Sequence, residues 1–202
     1  MLFYQFARSV VASVLKPLYR IKVSGLEHFP KEGGVLLCTN HIDNFDPPVV
    51  GITSPRMVHF MAKEELFKVP VLGNTVRNLG AFPVKRGMSD REALRSGLKI
   101  LKDGGVLGLF PEGTRSKNGE LGKGLAGAGF FALRSQAHVV PCAIIGPYKP
   151  LQPLRVVYGE PLNLTKLKEQ KASAEMVTAV IMESISDLLI KNGRQPLPLD
   201  KS

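Results

Sequence analysis

The 202-residue sequence has no tryptophan, only two cysteines, and no long uninterrupted apolar run. Cys38 and Cys142 lie in apolar, strand-like segments and lack partners at the C-x-x-C spacing typical of metal ligands. We therefore interpret both as small buried thiols in a reducing compartment. No apolar run approaches the ~20 residues that span a bilayer. A basic n-region and a small-residue cleavage site are also missing, which argues against a secretory signal.

Acidic residues are scarce relative to basic ones, 17 against 27, and the net charge is +10. This excess favours anionic partners such as phosphates, nucleic acid or an anionic membrane surface. Hydrophobic residues make up 44% and charged residues 22% of the chain, a balance that predicts a globular fold rather than disorder.

Apolar residues recur on one face of a predicted N-terminal helix over residues 1–19. One interpretation is a helix lying on the membrane, with its basic side chains facing anionic headgroups. These are Arg8, Lys16, Arg20 and Lys22. The other is an amphipathic helix packed on its own domain, and the sequence leaves both open.

The rest of the chain alternates between strand-like and helical patterns, which predicts an α/β fold with a central, largely parallel (mixed) sheet flanked by helices. About seven strands are expected, near residues 20–24, 34–40, 56–61, 80–84, 105–110, 139–145 and 154–159. We expect residues 20–192 to form one domain and residues 193–202 a frayed tail.

Three helices carry additional signals. Ser89 and Glu92 stand in capping-box register before a helix that ends at Gly104. A helix over 124–136 is rich in small residues, which implies close approach of another backbone. A long C-terminal helix is expected to have one apolar face, made by Met176, Val177, Val180, Ile181, Leu188 and Leu189.

Four polar stretches fall at the carboxyl ends of predicted strands, where ligands bind in open α/β sheets. They contain His41, Arg86, Glu112 and the residues after Val140. We therefore expect all four to line one crevice.

His41 and Asp46 are the first candidates for chemistry in that crevice. Residues five apart do not face each other on a helix, and a residue before proline avoids the helical region. Asp46 is therefore expected in a turn, with Pro47 opening a helix, so that its carboxylate can orient the His41 ring. Two alternatives remain: Asp43 is the partner of His41, or Asp46 only caps a helix by reaching Val49.

No serine or cysteine follows a nucleophile-elbow pattern, so His41 is predicted to deprotonate a substrate hydroxyl directly. Basic residues at the same edge favour a phosphate-bearing substrate. They are Lys85 or Arg86, then Arg115, and Lys123 at the start of the next helix.

At this point the motifs match a known family. "NHIDNFDPP" has the His-x4-Asp pattern and "FPEGTRS" the Glu-Gly-Thr-Arg pattern of the 1-acyl-glycerol-3-phosphate acyltransferases. "FMAKEELFKVPVLG", "GAFPVKRG" and "VVPCAI" also resemble segments of that family, in the same order. The resemblance covers roughly residues 20–160.

The resemblance implies transfer of an acyl group from acyl-CoA or acyl-carrier protein to the sn-2 hydroxyl of lysophosphatidic acid, giving phosphatidic acid. It implies His41 as general base, Asp46 as its orienting partner, and an acceptor site shaped by Glu112, Gly113, Thr114 and Arg115. It further implies phosphate binding by Arg86, and Val140–Ile144 lining or supporting the acyl side. No metal or cofactor is expected, because the thioester is already activated. The expected location is the cytoplasmic face of the cell membrane, with peripheral or monotopic attachment.

Three alternatives to this interpretation remain. The acceptor could be glycerol-3-phosphate or another lysophospholipid. The chain could be a non-catalytic basic module that binds membrane, whereas nucleic acid is not expected because no recognised binding signature is present. A metal hydrolase is the least favoured, because His28, His59 and His138 lack the spacing of a zinc site.

Overall fold

The structure is a computed structural model that describes residues 2–70, 72–84, 90–116 and 118–193. Helices and strands alternate along these residues. The strands are β1 (Lys22–Ser24), β2 (Val35–Thr39), β3 (Val58–Lys63), β4 (Phe82–Val84), β5 (Val106–Leu109), β6 (His138–Ile145) and β7 (Arg155–Tyr158). The α-helices are α1 (Leu2–Leu18), α2 (Asp46–Thr53), α3 (Leu72–Asn78), α4 (Arg91–Lys102), α5 (Gly127–Arg134), α6 (Thr165–Glu169) and α7 (Ala174–Lys191). Short 3-10 helices span Leu26–His28 and Glu64–Lys68.

The strands form one seven-stranded sheet in the order β1-β7-β6-β2-β5-β3-β4. Strands β6, β2, β5, β3 and β4 run parallel, whereas β7 is antiparallel to β6 and pairs in parallel with β1. The predicted α/β fold with a largely parallel, mixed sheet is confirmed, and each predicted strand position holds a strand. Strand β2 lies at the centre, so its carboxyl end is flanked by those of β5 and β6.

Alternate residues of the central strands bury two separate faces. Leu36 and Cys38 lie in a core covered by α4, α5 and α7. Cys142 lies with Leu37 in the opposite core, which α1 and α2 cover. The two thiols are therefore on different sides of the sheet, and both are free and buried as predicted. Burial raises the pKa of Cys142 to about 12.

Close packing of α5 against α7 confirms the prediction from the small-residue helix. A Cβ built on Gly129 would meet the carbonyl oxygen of Ala174, at the start of α7, at 1.9 Å. Glycine at this position therefore lets the two backbones approach directly.

Three sequence details of the helices are corrected. The N-cap of α4 is Asp90, whose carboxylate accepts hydrogen bonds from the backbone N–H groups of Glu92 and Ala93, while Ser89 lies outside the described residues. Helix α5 begins at Gly127, so Lys123 precedes the helix rather than opening it. Met176 is exposed because it lies on the solvent side of the first turn of α7.

The interpretation of the N-terminal helix as packed on its own domain holds for one face of α1, whereas the opposite face is exposed. The inner face packs on α2 and buries Leu15. Arg8 donates to the carbonyl oxygens of Ile52 and Ser54 at the end of α2, so its predicted orientation toward headgroups is wrong. The outer face exposes a row of apolar side chains: Leu2, Phe3, Phe6, Val10 and Val14. Within the described residues, no helix has the length and apolar character needed to cross a membrane.

Candidate active site

The site begins where β2 leaves the sheet. Asn40, directly after the strand, is buried and exchanges two hydrogen bonds with the backbone of Ile144 on β6. This double contact anchors the end of β2 to its neighbour. The next residue, His41, is thereby placed at the carboxyl edge of the sheet, as predicted.

His41 and Asp46 contact each other directly. The Nδ1 atom of His41 lies 2.7 Å from Oδ2 of Asp46, and the Asp46 side chain is completely buried. The same oxygen accepts hydrogen bonds from the backbone N–H groups of Ile42 at 2.6 Å and Asp43 at 2.8 Å. An ionised carboxylate only accepts hydrogen bonds, so Nδ1 carries the proton and Nε2 is left with its lone pair.

Hydrogen bonds in the loop exclude the two alternatives, Asp43 as the partner of His41 and Asp46 as a helix cap. The Asp43 carboxylate accepts from the N–H of Phe45 at 3.0 Å in a local turn and is not the partner of His41. Asp46 makes no capping bond, because the N–H of Val49 donates to the carbonyl of Phe45. Helix α2 starts at Asp46 itself, one residue earlier than expected, and the two prolines occupy its first turn.

A second donor completes the environment of Asp46. The Tyr148 hydroxyl, which follows β6, donates to Oδ1 of Asp46 at 2.7 Å. Burial, reinforced by the negative charge of Asp46, raises the pKa of Tyr148 well above its usual range, so the phenol stays protonated. Sequence reasoning missed this residue because 102 positions separate it from Asp46. Its place after "VVPCAI" at the same sheet edge is the signal that could have found it.

The His41 imidazole is held from the side by an aromatic ring. Phe110, at the end of β5, stacks on it with ring centroids 4.0 Å apart, and Phe60 of β3 stacks on Phe110 at 5.7 Å. The His41 side chain keeps 12% of its surface exposed. The stack fixes the ring plane, so the free nitrogen has a defined direction.

Glu112 joins the His41 loop to a later part of its own loop, the connection between β5 and α5, rather than projecting into open space. Its Oε1 accepts from the N–H of His41 at 2.9 Å, and Oε2 accepts from the N–H of Gly122 at 2.8 Å. The carbonyl of His41 in turn accepts from the N–H of Ser116 at 2.8 Å. The backbone of His41 is therefore clamped by the "FPEGTRS" loop on both sides.

The other predicted site residues of this edge are exposed around the clamp. Gly113 has a φ of 68°, a conformation that favours glycine, and Thr114 and Arg115 follow it on the surface. Arg115 is adjacent to Ser116, and Lys123 is adjacent to Gly122, so both cations flank residues bonded to the His41–Glu112 group. Arg86 and Lys85 lie outside the described residues.

An apolar groove of about 370 Å³ opens beside the loop that joins His41 to Asp46. Its walls come from α1, α2, β3 and α3, and they include Asn44, Pro47, Pro48, Gly51 and Phe60. Through Phe60 and Phe110, the groove connects to the His41 ring. Volumes of about 300–1,000 Å³ with mainly apolar walls are typical of small-molecule sites.

Val140–Ile144 support the site from below and do not line this groove. Residues 139–145 of β6 are buried, and Ile144 provides the backbone contacts to Asn40. The remaining histidines lie apart: His28 is near Glu27 and Glu160, His59 contacts the carbonyl of Gly80, and His138 is exposed. In the part of the chain that the structure describes, no three potential metal ligands cluster.

Comparisons with known proteins identify the family of this chain. Residues 20–145 match the sequence profile of a family described as Acyltransferase. A 1-acyl-sn-glycerol-3-phosphate acyltransferase of Bacillus subtilis is 30% identical over 79% of this chain and 82% of its own length. A chloroplast enzyme of the same name from Arabidopsis thaliana is 30% identical over 73% of this chain but only 42% of its own length.

A crystal structure of the 1-acyl-sn-glycerophosphate acyltransferase of Thermotoga maritima has the same fold. The TM-score is 0.71 at 24% identity, and the match covers 96% of this chain and 79% of that one. The profile extends over more than half of the 202 residues, and the resemblance first seen in the motifs is confirmed. The chain belongs to the Acyltransferase family and groups with its 1-acyl-sn-glycerol-3-phosphate acyltransferases.

Proposed function

We propose that this chain transfers a fatty acyl group from a thioester donor to the sn-2 hydroxyl of 1-acyl-glycerol-3-phosphate, forming phosphatidic acid. The donor is acyl-CoA or acyl-carrier protein. The observation that carries the proposal is the contact of His41 with the buried Asp46 at 2.7 Å. The loop that joins the two residues lines the apolar groove through Asn44 and is bonded to Ser116, the neighbour of Arg115. The names of the relatives support the choice of acceptor.

The reaction needs one base and no acyl-enzyme. Nε2 of His41 takes the proton of the acceptor hydroxyl as its oxygen attacks the thioester carbonyl. The carbon–sulfur bond then breaks, and the leaving thiolate receives the proton from the imidazolium, so His41 returns to its starting state. Asp46 keeps Nδ1 protonated and stabilises the transient positive charge.

The charged part of the acceptor is assigned to the exposed cations. Arg115 has no hydrogen-bond partner among the described residues, and its planar guanidinium suits two phosphate oxygens at once. Lys123 adds a second positive charge from the neighbouring loop, and Arg86 is proposed as a third. Gly113 and Thr114 shape the turn that presents Arg115.

The apolar groove is assigned to a substrate acyl chain. Its lining includes Asn44, in the loop that joins His41 to Asp46, and Pro47, directly after Asp46, so a chain in the groove would place its polar end near the base. The apolar walls would remove the chain from water, at about 25 cal/mol per Å² of buried surface.

We further propose that the outer face of α1 lies on an anionic membrane at the cytoplasmic surface. The support is the exposed apolar row from Leu2 to Val14, together with three exposed cations near its end, Lys16, Arg20 and Lys22. Such a helix binds by burying its apolar face below the headgroups while its cations contact them. The groove wall includes Tyr4 and Arg8 of the same helix, so substrate could enter from the bilayer side.

The test is acyl transfer by purified protein in liposomes, followed by mass spectrometry. Lysophosphatidic acid, glycerol-3-phosphate and lysophosphatidylcholine are offered separately, each with acyl-CoA or acyl-carrier protein. We expect product with lysophosphatidic acid. Transfer only to another acceptor would overturn the proposed substrate, and transfer to none by folded protein would overturn the proposed reaction.

A further inference from the structure

Tyr148 stands out because its only side-chain hydrogen bond among the described residues is made to Asp46. The Tyr148 hydroxyl contacts Oδ1 at 2.7 Å, whereas the bonds from His41, Ile42 and Asp43 all converge on Oδ2. Without Tyr148, one oxygen of the completely buried Asp46 carboxylate would have no hydrogen-bond donor among the residues that the structure describes. Tyr148 therefore donates to Oδ1 of Asp46, the oxygen to which His41, Ile42 and Asp43 do not donate.

The Tyr148 ring is held in place by aromatic neighbours. Tyr19, just past the end of α1, meets it edge to face with centroids 5.3 Å apart, and Phe45 of the His41–Asp46 loop lies at 6.4 Å. Tyr19 and Phe45 are themselves 6.1 Å apart, so the three rings form one cluster. Such pairs have a preferred geometry, which limits how the phenol can move.

The backbone that carries Tyr148 is also tied to the end of α1. The N–H of Leu151 donates to the carbonyl of Leu18, and the N–H of Leu154 donates to the carbonyl of Tyr19. The position of the phenol is thus set by the N-terminal helix as well as by β6. The Tyr148 side chain therefore links Tyr19, at the end of α1, to Asp46.

We propose that Tyr148 is a positioning residue for the His41–Asp46 pair. This inference rests on the function proposed above. Its hydroxyl prevents the Asp46 carboxylate from rotating, so that Oδ2 stays directed at Nδ1 of His41. As a neutral donor, it also draws part of the carboxylate charge away from the imidazole.

The experiment compares Tyr148→Phe with a matched control, Tyr158→Phe. Tyr158 is also buried and also loses a hydrogen bond in the variant, in this case to Thr53 at 2.9 Å, on a strand away from Asp46. Both changes delete one buried phenol oxygen and leave the ring. Any general loss of stability should therefore appear in both variants, and thermal unfolding in detergent measures it.

We expect Tyr148→Phe to lower kcat about 10- to 100-fold, the range for losing a hydrogen bond to a charged group, with KM changed less than about twofold. The acid limb of its kcat profile should move to higher pH, because Asp46 then keeps more charge for the protonated imidazole. Tyr158→Phe should leave kcat and the pH profile near those of the wild type. A Tyr148→Phe enzyme with both unchanged would overturn the inference.

An NMR titration needs no turnover and therefore tests this inference independently of the proposed reaction. The chain has 4 histidines, so the ring signals of His41 can be followed by NMR and assigned with His41→Gln. We expect the titration midpoint of that signal to rise in Tyr148→Phe but not in Tyr158→Phe. A wild-type protein without transfer activity would refute the proposed function alone, and an unmoved midpoint would refute the role of Tyr148 alone.

Discussion

Asp46 shows, at the scale of single residues, how burial and hydrogen bonding make one carboxylate specific for one task. It has no exposed surface, and the donors around it come from His41, Ile42, Asp43 and Tyr148. A buried charge is tolerated only when its oxygens are satisfied in this way. The arrangement holds the His41 ring in one orientation and one tautomer.

Replacing Asp46 with asparagine should therefore disable the base. The amide cannot accept at both former oxygens, and its NH₂ group would face donors, so the His41 tautomer is no longer fixed. We expect kcat to fall by about 10²–10⁴-fold, measured as phosphatidic acid formed per minute. Asp43→Asn is the control: it removes the same charge three residues earlier but keeps an acceptor for Phe45, and it should stay within a few-fold of the wild type.

Arg115 is expected to act on acceptor binding rather than on the chemical step. Arg115→Ala should raise KM for lysophosphatidic acid about 10- to 100-fold, as expected for losing a charge-assisted bond, with a smaller effect on kcat. The comparison is Arg95→Ala, which removes an equally exposed arginine from α4. Steady-state kinetics in mixed micelles measures both. Equal KM values in the two variants would contradict phosphate binding by Arg115.

Some of these residues could be predicted from the sequence and others could not. His41 and Asp46 are five residues apart, and two prolines directly follow Asp46, so local geometry predicts their contact. Other contacts join residues on different strands. Phe110 stacks on His41, Asn40 pairs with Ile144, and Tyr148 donates to Asp46. Those contacts depend on β5 and β6 flanking β2, which spacing along the chain does not encode.

At the scale of elements, apolar runs predicted the central strands well because β2, β6 and most of β5 are buried on both faces. Helix ends were predicted less accurately. Asp90 rather than Ser89 caps α4, and α5 starts three residues later than the small-residue pattern suggested, at Gly127. Several neighbouring residues can cap or open a helix, and tertiary packing selects among them. The contact between α5 and α7 shows this selection most directly.

Adding a single methyl group at that contact should destabilise the fold. Gly129→Ala places a Cβ 1.9 Å from the carbonyl oxygen of Ala174, so the helices must separate. We expect the free energy of unfolding to fall by about 1–3 kcal/mol, measured by urea denaturation in detergent.

Gly127→Ala is the matched control on the same helix, because nothing lies within 4 Å of its added Cβ. It should be neutral or stabilising by up to about 1 kcal/mol, since alanine favours helix. Equal destabilisation by both variants would show that backbone approach at Gly129 is not the cause.

For the whole molecule, α1 has one packed face and one exposed apolar face, and the second is the face proposed to contact a membrane. One face packs on α2 through Leu15 and Arg8, and the other exposes Phe6, Val10 and Val14. The sequence pattern shows that a helix has apolar residues on one side, but it does not show which of them pack on the domain and which stay exposed. The charge of +10 fits a molecule that works on an anionic surface.

Membrane binding should therefore depend on the outer face of α1 and not on the catalytic pair. Phe6→Gln combined with Val10→Gln removes two exposed apolar groups, each worth about 1.5–3 kcal/mol when buried. We expect affinity for liposomes containing phosphatidylglycerol to fall about 100-fold in a sedimentation assay. Ser9→Gln with Ser13→Gln, two polar positions on the same helix, should bind like the wild type. Unchanged binding by the apolar double variant would place the membrane contact elsewhere.

The most direct test of the account is phosphatidic acid formation by the wild type and by His41→Ala, at equal concentrations of folded protein. The account predicts steady product formation by the wild type and a rate lower by about 10²–10⁴-fold in the variant, because His41 is the proposed base that removes the acceptor proton. A His41→Ala protein that forms phosphatidic acid at a rate close to that of the wild type would contradict it.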